Sequence, residues 1–174
     1  MLKETGLFQL KIDDRNIIVR LIGSKDLDDY SDEFIKLLSE NYSTNFPRNG
    51  DLSNHALESY NDMIRFCKDG SALVLGVFSD VCLVGFLWAY KRIFLGEPRL
   101  HISHIVVHSN YRGQGIGTKL IHFLEEVATE KKIKIIELLT SSENTAAVSF
   151  YKTCGYQVTR VQFEKDLGIE NDHK

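Results

Sequence analysis

Residues 106–118, Val-Val-His-Ser-Asn-Tyr-Arg-Gly-Gln-Gly-Ile-Gly-Thr, carry an apolar run straight into three alternating glycines and then into an amphipathic segment. The run before the glycines, Arg99 to His108, is β-rich, and Gly113 to Lys131 is helical in period. Ile116, Leu120, Leu124 and Val127 form one apolar stripe, with Ile121 and Ala128 beside it. Lys131 and Lys132 fall at the negative end of that helix. Ile133 to Thr140 is almost wholly apolar, as a strand buried on both faces would be. A strand–helix–strand unit of this kind requires a parallel pair and a crossover.

The flanking sequence supplies the other layers. Leu7–Ile12 and Asn16–Ile22 predict two strands of a hairpin turning at Asp13, Asp14 and Arg15. Leu27, Tyr30, Phe34, Leu37, Leu38 and Tyr42 recur at helical spacing over Asp26–Tyr42. A loop follows at Asn45–Gly50, then a second helix over Ser53–Lys68, stopped by Asp69 and Gly70. Ala72–Phe78 and Cys82–Tyr90 predict a hairpin through Ser79 and Asp80. Thr145–Cys154 predicts a short helix ended by Gly155, Tyr156–Phe163 a last strand, and residues 164–174 a polar tail. The expected fold class is α/β: a mixed antiparallel and parallel sheet flanked by helices, β-α-α-β-β-β-α-β-α-β with an extra N-terminal strand. No repeat or linker divides the 174 residues, so one domain is expected.

Composition removes several classes of function. A net charge of −3 gives no bulk attraction to nucleic acid or to an anionic membrane. The start Met-Leu-Lys-Glu-Thr-Gly lacks a signal-peptide core and no apolar run reaches membrane-spanning length, so a cytoplasmic protein is expected. Cys67, Cys82 and Cys154 are too far apart for paired metal-ligand spacing, and no metal site is expected.

At a strand-to-helix junction the first helical N–H groups lack carbonyl partners and sit at the positive end of the dipole. Glycines clear Cβ atoms from the approach, Arg112 adds charge and Thr118 a hydroxyl, which together suit a phosphate. Tight packing alone would also account for the glycines. The dinucleotide pattern G-x-G-x-x-G fails at its third glycine, and the strand ending in Thr140, Ser141 and Ser142 offers no acid for a ribose. The nucleoside-triphosphate pattern G-x-x-x-x-G-K-[S/T] fails because Thr118 stands where its second glycine belongs.

Arg112-Gly113-Gln114-Gly115-Ile116-Gly117 resembles the R/Q-x-x-G-x-G/A signature of the GNAT acetyltransferase superfamily. Residues 144–156, Asn144 to Tyr156, resemble its N-x-x-A-x-x-x-Y-x-x-x-G-[F/Y] block, in the right order and one helix and strand later. The close likeness covers residues 99–163; residues 1–98 match in element order and would form the acceptor side. The resemblance implies acetyl-CoA as donor, its pyrophosphate on the amides of Arg112, Gly113, Gln114, Gly115, Ile116, Gly117 and Thr118. It implies that Val106 and Val107 pair with the pantetheine arm through their backbone, one N–H polarising the thioester carbonyl. Asn144 would cap its helix and also touch the arm, and Tyr151 would protonate the departing thiolate. For the general base the resemblance points near His101, with Glu97 or a water chain as alternatives.

By simple alternation His101 and His104 are expected on opposite faces, with His104 and His108 structural. The implied activity is N-acetyl transfer to a primary amine; a non-catalytic acyl-CoA sensor would share the glycine turn. The acceptor is left open among a small amine, an amino sugar, a peptide and a protein lysine. The oligomeric state is also open, a homodimer included.

Overall fold

In the computed structural model, which describes residues 7–12, 15–46 and 52–165, the β-rich runs zip into one sheet. It has six strands in the order β1-β2-β3-β4-β5-β6. β1 (Leu7–Ile12) and β2 (Arg15–Leu21) form the expected hairpin, whose residues 13 and 14 lie outside the described set. β2 pairs antiparallel with β3 (Ala72–Ser79), which turns into β4 (Cys82–Phe94). β4 runs past the expected limit at Tyr90 and doubles back at Leu95 and Gly96, with φ of 50° and 81°, into β5 (Glu97–Val107). Positive φ at two adjacent residues matches the twist of a tight hairpin. Glu97 is therefore the first residue of β5 and not a turn residue.

The single helix expected over 26–42 is two, α1 (Ser24–Asp29) and α2 (Ser31–Asn45). They part at Tyr30, with φ −115° and ψ 24°, where its ring packs edge-on to Phe78 at 5.1 Å. The expected loop at 45–50 lies mostly outside the described residues. α3 (Ser53–Lys68) has the expected bounds.

These three helices cover one face of the sheet. Leu27, Phe34, Leu38, Ala56 and Met63 close there on Val74, Phe78, Phe86 and Trp88. Phe34 is fully buried, 5.0 Å from the Phe86 ring; burying a side chain of that size contributes about 1.5–3 kcal/mol. α4 (Ile116–Glu130) packs across β5 and β6 (Ile135–Leu138), with Leu120, Ile121 and Leu124 fully buried. β5 and β6 are the parallel pair that the crossover requires. β6 is shorter than the 133–140 run and half-buried, because it is the last strand of the sheet and has a neighbour on one side only.

The chain divides into two compact units, Met1–Ser141 and Ser142–Lys174. In the second, α5 (Thr145–Thr153) starts at Asn144 and stops before Gly155, whose φ of 87° suits glycine. The strand expected over 156–163 is not formed: residues 156–165 have no regular structure, and Val158, Val161 and Phe163 are exposed. Strand propensity is realised only through ladder bonds to a neighbour, and the sheet order ends at β6.

Among the described residues, no helix is long and apolar enough to cross a membrane and no cluster of metal-ligating side chains occurs. Tyr60 ties α3 to α1 by donating its hydroxyl to the Leu27 carbonyl at 2.6 Å in the core. Tyr60→Phe removes that bond and leaves the carbonyl unsatisfied. Urea denaturation should show a loss of about 1–2 kcal/mol.

Candidate active site

The site is organised by one irregularity. In the β4–β5 ladder Trp88 faces His104 and Ala89 faces Ile102, so Ser103 has no partner. One extra residue reverses the face parity of everything beyond it. His101 and His104, expected on opposite faces, therefore share one. His104 stacks on Trp88 at 5.6 Å, and His101 lies 5.2 Å from the Tyr90 ring. Tyr42 of α2 meets His104 edge-on at 5.7 Å, and Phe66 of α3 stacks on Tyr90 at 4.6 Å.

The parallel pairing ends at the same point. β6 follows β5 from Arg99 to Ile102, while β4 follows it to Val107. From Ser103 on, β5 has no strand on its β6 side among the described residues. The His108 N–H donates to the Val84 carbonyl at 2.9 Å, which fixes the alternation of the peptides before it. Val106 accordingly turns its backbone to Phe86 of β4. Val107 and Ile105 turn theirs to the open edge.

That edge leads into the glycine turn. Gly113 and Gly115 have φ of 74° and 77°, and a Cβ built on either would meet no atom within 4 Å. The glycines are thus required by their backbone angles and not by tight packing. Gly115 is the N-cap of α4, and the Lys119 N–H is the first to reach back, to the Gly115 carbonyl at 3.2 Å. The amides of Ile116, Gly117 and Thr118 have no acceptor inside the helix. Arg112 does not point freely at this cradle: its Nε donates to the Val107 carbonyl at 2.7 Å and its Nη2 to Glu40 of α2 at 3.1 Å.

On the same side of β5, just before the edge opens, Glu137 of β6 stands opposite His101 and binds Arg92 and Arg99, the latter at 3.0 Å. Burial opposes its charge, yet the Arg99 and Arg92 guanidiniums hold the carboxyl below its ordinary range. His101 Nδ1 lies 3.8 Å from the same carboxylate, too far for a hydrogen bond, and has no hydrogen-bond partner among the described residues. Burial first, and Arg92 second, hold its imidazole below the usual histidine range against the pull of Glu137. The ring is neutral at neutral pH. Glu97 lies exposed at the far end of β5, 3.5 Å from Arg99. Ser103 lies six positions further along, about 20 Å of strand.

In the second unit, Asn144 caps α5 by accepting the Ala147 N–H at 3.0 Å. Tyr151 lies edge-on to Tyr156 at 5.7 Å, and burial, with Cys154 adding to it, raises its phenol above the ordinary value. It is protonated across the physiological range. The sequence reading missed Glu137, although a lone acid inside the apolar run Ile133–Leu139 was a signal: charge in a half-buried strand is rare unless paired. It missed Arg92 because nothing local marks it, and in the sequence Glu40 is only one of several acids on the first two helices.

The open edge of β5 thus leads into helical amides that the helix itself cannot satisfy. The chain belongs to the Acetyltransferase (GNAT) family, whose match covers residues 32–156. It is similar to thialysine N-epsilon-acetyltransferase of Sus scrofa, 36% identical over 75 residues that cover 42% of this chain and 44% of that protein. It is also similar to a streptothricin acetyltransferase of Escherichia coli, 36% identical over 89 residues covering 51% and 49%. The matches span less than half the length of these curated relatives. In fold it is similar to an aminoglycoside acetyltransferase from an uncultured soil metagenomic sample in complex with sisomicin. That structure gives a TM-score of 0.66 at 20% identity, covering 87% of this chain and 96% of the other.

Burial pushes His104 down to about 4. An unfolded histidine titrates near ~6.5, so between these values the unfolded chain holds a proton that the folded chain refuses. The stability that depends on a neutral His104 is therefore complete above the unfolded value and is lost as pH falls towards the folded one, about 3 kcal/mol in all. Urea midpoints followed across that window should fall less steeply for His104→Gln than for the wild type.

Proposed function

We propose that this chain is an N-acetyltransferase that takes the acetyl group of acetyl-CoA and delivers it to a primary amine by direct attack on the thioester. The observation that carries the proposal is the continuity of the open β5 edge with the acceptor-free amides of Ile116, Gly117 and Thr118. Backbone amides at the positive end of a helix dipole suit a diphosphate. The positive φ of Gly113 and Gly115 leaves their approach clear of side chains. The residues present fit the donor.

In this reading the diphosphate rests on the turn from Arg112 to Thr118, and the pantetheine arm runs along β5. Val107 and Ile105 meet the arm; Val106, whose peptide faces β4, contributes packing instead. The Val107 carbonyl is held by Arg112, so its N–H is the group left to polarise the thioester carbonyl. One such donor aimed at developing oxyanion charge contributes about 3 kcal/mol. Asn144 would touch the arm as well as cap α5.

Attack by the amine expels a thiolate, which needs a proton. Tyr151 keeps its proton at neutral pH and is the donor we assign. An attacking ammonium must first lose a proton, and His101 is neutral and two residues from the opening of the edge, so it is the base we favour; Glu97 is too distant. The acceptor would lie against the aromatic face of Tyr42, Phe66, Trp88 and Tyr90. The Trp88 Nε1–H there is buried without a partner among the described residues, a donor that an acceptor's oxygen would satisfy. Aromatic faces also suit a cationic amine.

Titration calorimetry with coenzyme A, and thiol release from acetyl-CoA across a panel of amines, amino sugars and peptides, test the proposal. Binding with release on at least one amine is expected. Binding without release on any acceptor would make the protein an acyl-CoA sensor, and no binding at all would remove the donor site. Tyr151→Phe should lower kcat by about 100-fold with coenzyme A affinity retained; unchanged turnover would take Tyr151 out of the mechanism.

A further inference from the structure

We infer that Glu40, on the last turns of α2, is a positioning residue for the diphosphate cradle. This rests on the donor site proposed above and adds a residue outside both sequence motifs. One carboxylate oxygen of Glu40 accepts two hydrogen bonds from the segment that leads into the glycines. They come from the Ser109 backbone N–H at 3.2 Å and from Arg112 Nη2 at 3.1 Å. The same guanidinium donates its Nε to the Val107 carbonyl at 2.7 Å. Glu40 thereby ties the last residue of β5, the first residue of the 3-10 turn Ser109–Tyr111 and Arg112 into one unit. Gly113 comes next in the chain, and there two glycines at positive φ leave the backbone least restrained.

The geometry explains why an acid stands so close to an anion-binding turn. A free Glu40 would repel a diphosphate; a Glu40 engaged by Arg112 and a backbone N–H brings little net charge to the cradle. Its effect is then mechanical: the residues before Gly113 are held, so the amides beyond it converge before ligand arrives. Preorganised donors bind more tightly because less ordering is left for the binding step. Helix α2 also carries Tyr42 against His104, so the latch anchors the turn to a helix fixed on the sheet.

Three variants test this: Glu40→Ala, Glu40→Gln and Arg112→Ala. Glu40→Gln keeps an acceptor oxygen for both donors and removes the charge. Hydrogen–deuterium exchange of the ligand-free protein comes first. Peptides spanning residues 108–115 should exchange faster in Glu40→Ala, with much of the protection regained in Glu40→Gln and the urea midpoint close to wild type. Calorimetry with coenzyme A should then show affinity lowered about three- to tenfold in Glu40→Ala, as for one or two exposed charge-assisted bonds. Glu40→Gln should fall between the two, and in steady state the KM for acetyl-CoA should rise while that for the amine stays put. Adding Glu40→Ala to Arg112→Ala should cost less than it does alone. Coenzyme A affinity that is equal or higher in both Glu40 variants would overturn the inference, since Glu40 would then act only as a repelling charge. Unchanged exchange over 108–115 in Glu40→Ala would overturn it as well. The exchange measurement needs no ligand, so a wild type that fails to bind coenzyme A sinks the donor site and leaves the latch to be judged separately.

Discussion

Ser103 has no partner in the β4–β5 ladder, and much of the molecule's chemistry depends on that extra residue. From Arg99 to Ile102, β5 is held on both sides; after Ser103, only β4 remains among the described residues. The bulge brings two histidines to one face and leaves the Ile105 and Val107 peptides directed at an open edge. A regular strand would have put His104 on the face opposite His101. Which groups face the open edge is therefore a product of register, and side-chain chemistry is secondary to it.

Around that edge the polar groups are arranged in two tiers. Backbone amides form the first tier: the helix start after Gly115 presents donors that no part of the helix can satisfy. Charged side chains hold the frame. Glu40 with Arg112 secures the approach to the glycine turn, and Glu137 with Arg92 and Arg99 secures β6 against the far end of the β4–β5 hairpin. The first is exposed and the second mostly shielded from water, and in both a carboxylate is shared between two donors. The shielded cluster contributes little net stability compared with an apolar substitute, but removing one member leaves the others stranded. Their value lies in geometry.

The titratable groups have been sorted by burial. Enclosure keeps Tyr151 protonated and His101 and His104 neutral. A protonated phenol and a neutral imidazole are the states that acid and base work on an amine requires. His104, stacked on Trp88 and bonded to Ser103, is a structural ring, and its sharing a face with His101 does not give it a second role.

Much of this was legible in the residues themselves. The glycine spacing at 113–117, the apolar stripe of α4 and the cap at Asn144 are local patterns, set by φ, by helical period and by short-range hydrogen bonds, and the sequence carried them outright. The two motifs also determined the family. Features fixed by partners distant in the chain lay beyond its reach. The bulge at Ser103 needs β4 to exist; the break at Tyr30 needs Phe78; Glu40 meets Arg112 only once α2 is packed on the sheet. The run 156–163 has the composition of a strand but forms none, because propensity cannot supply a neighbour to pair with. Local chemistry wrote the cradle, and register between remote segments decided where it opens and what faces it.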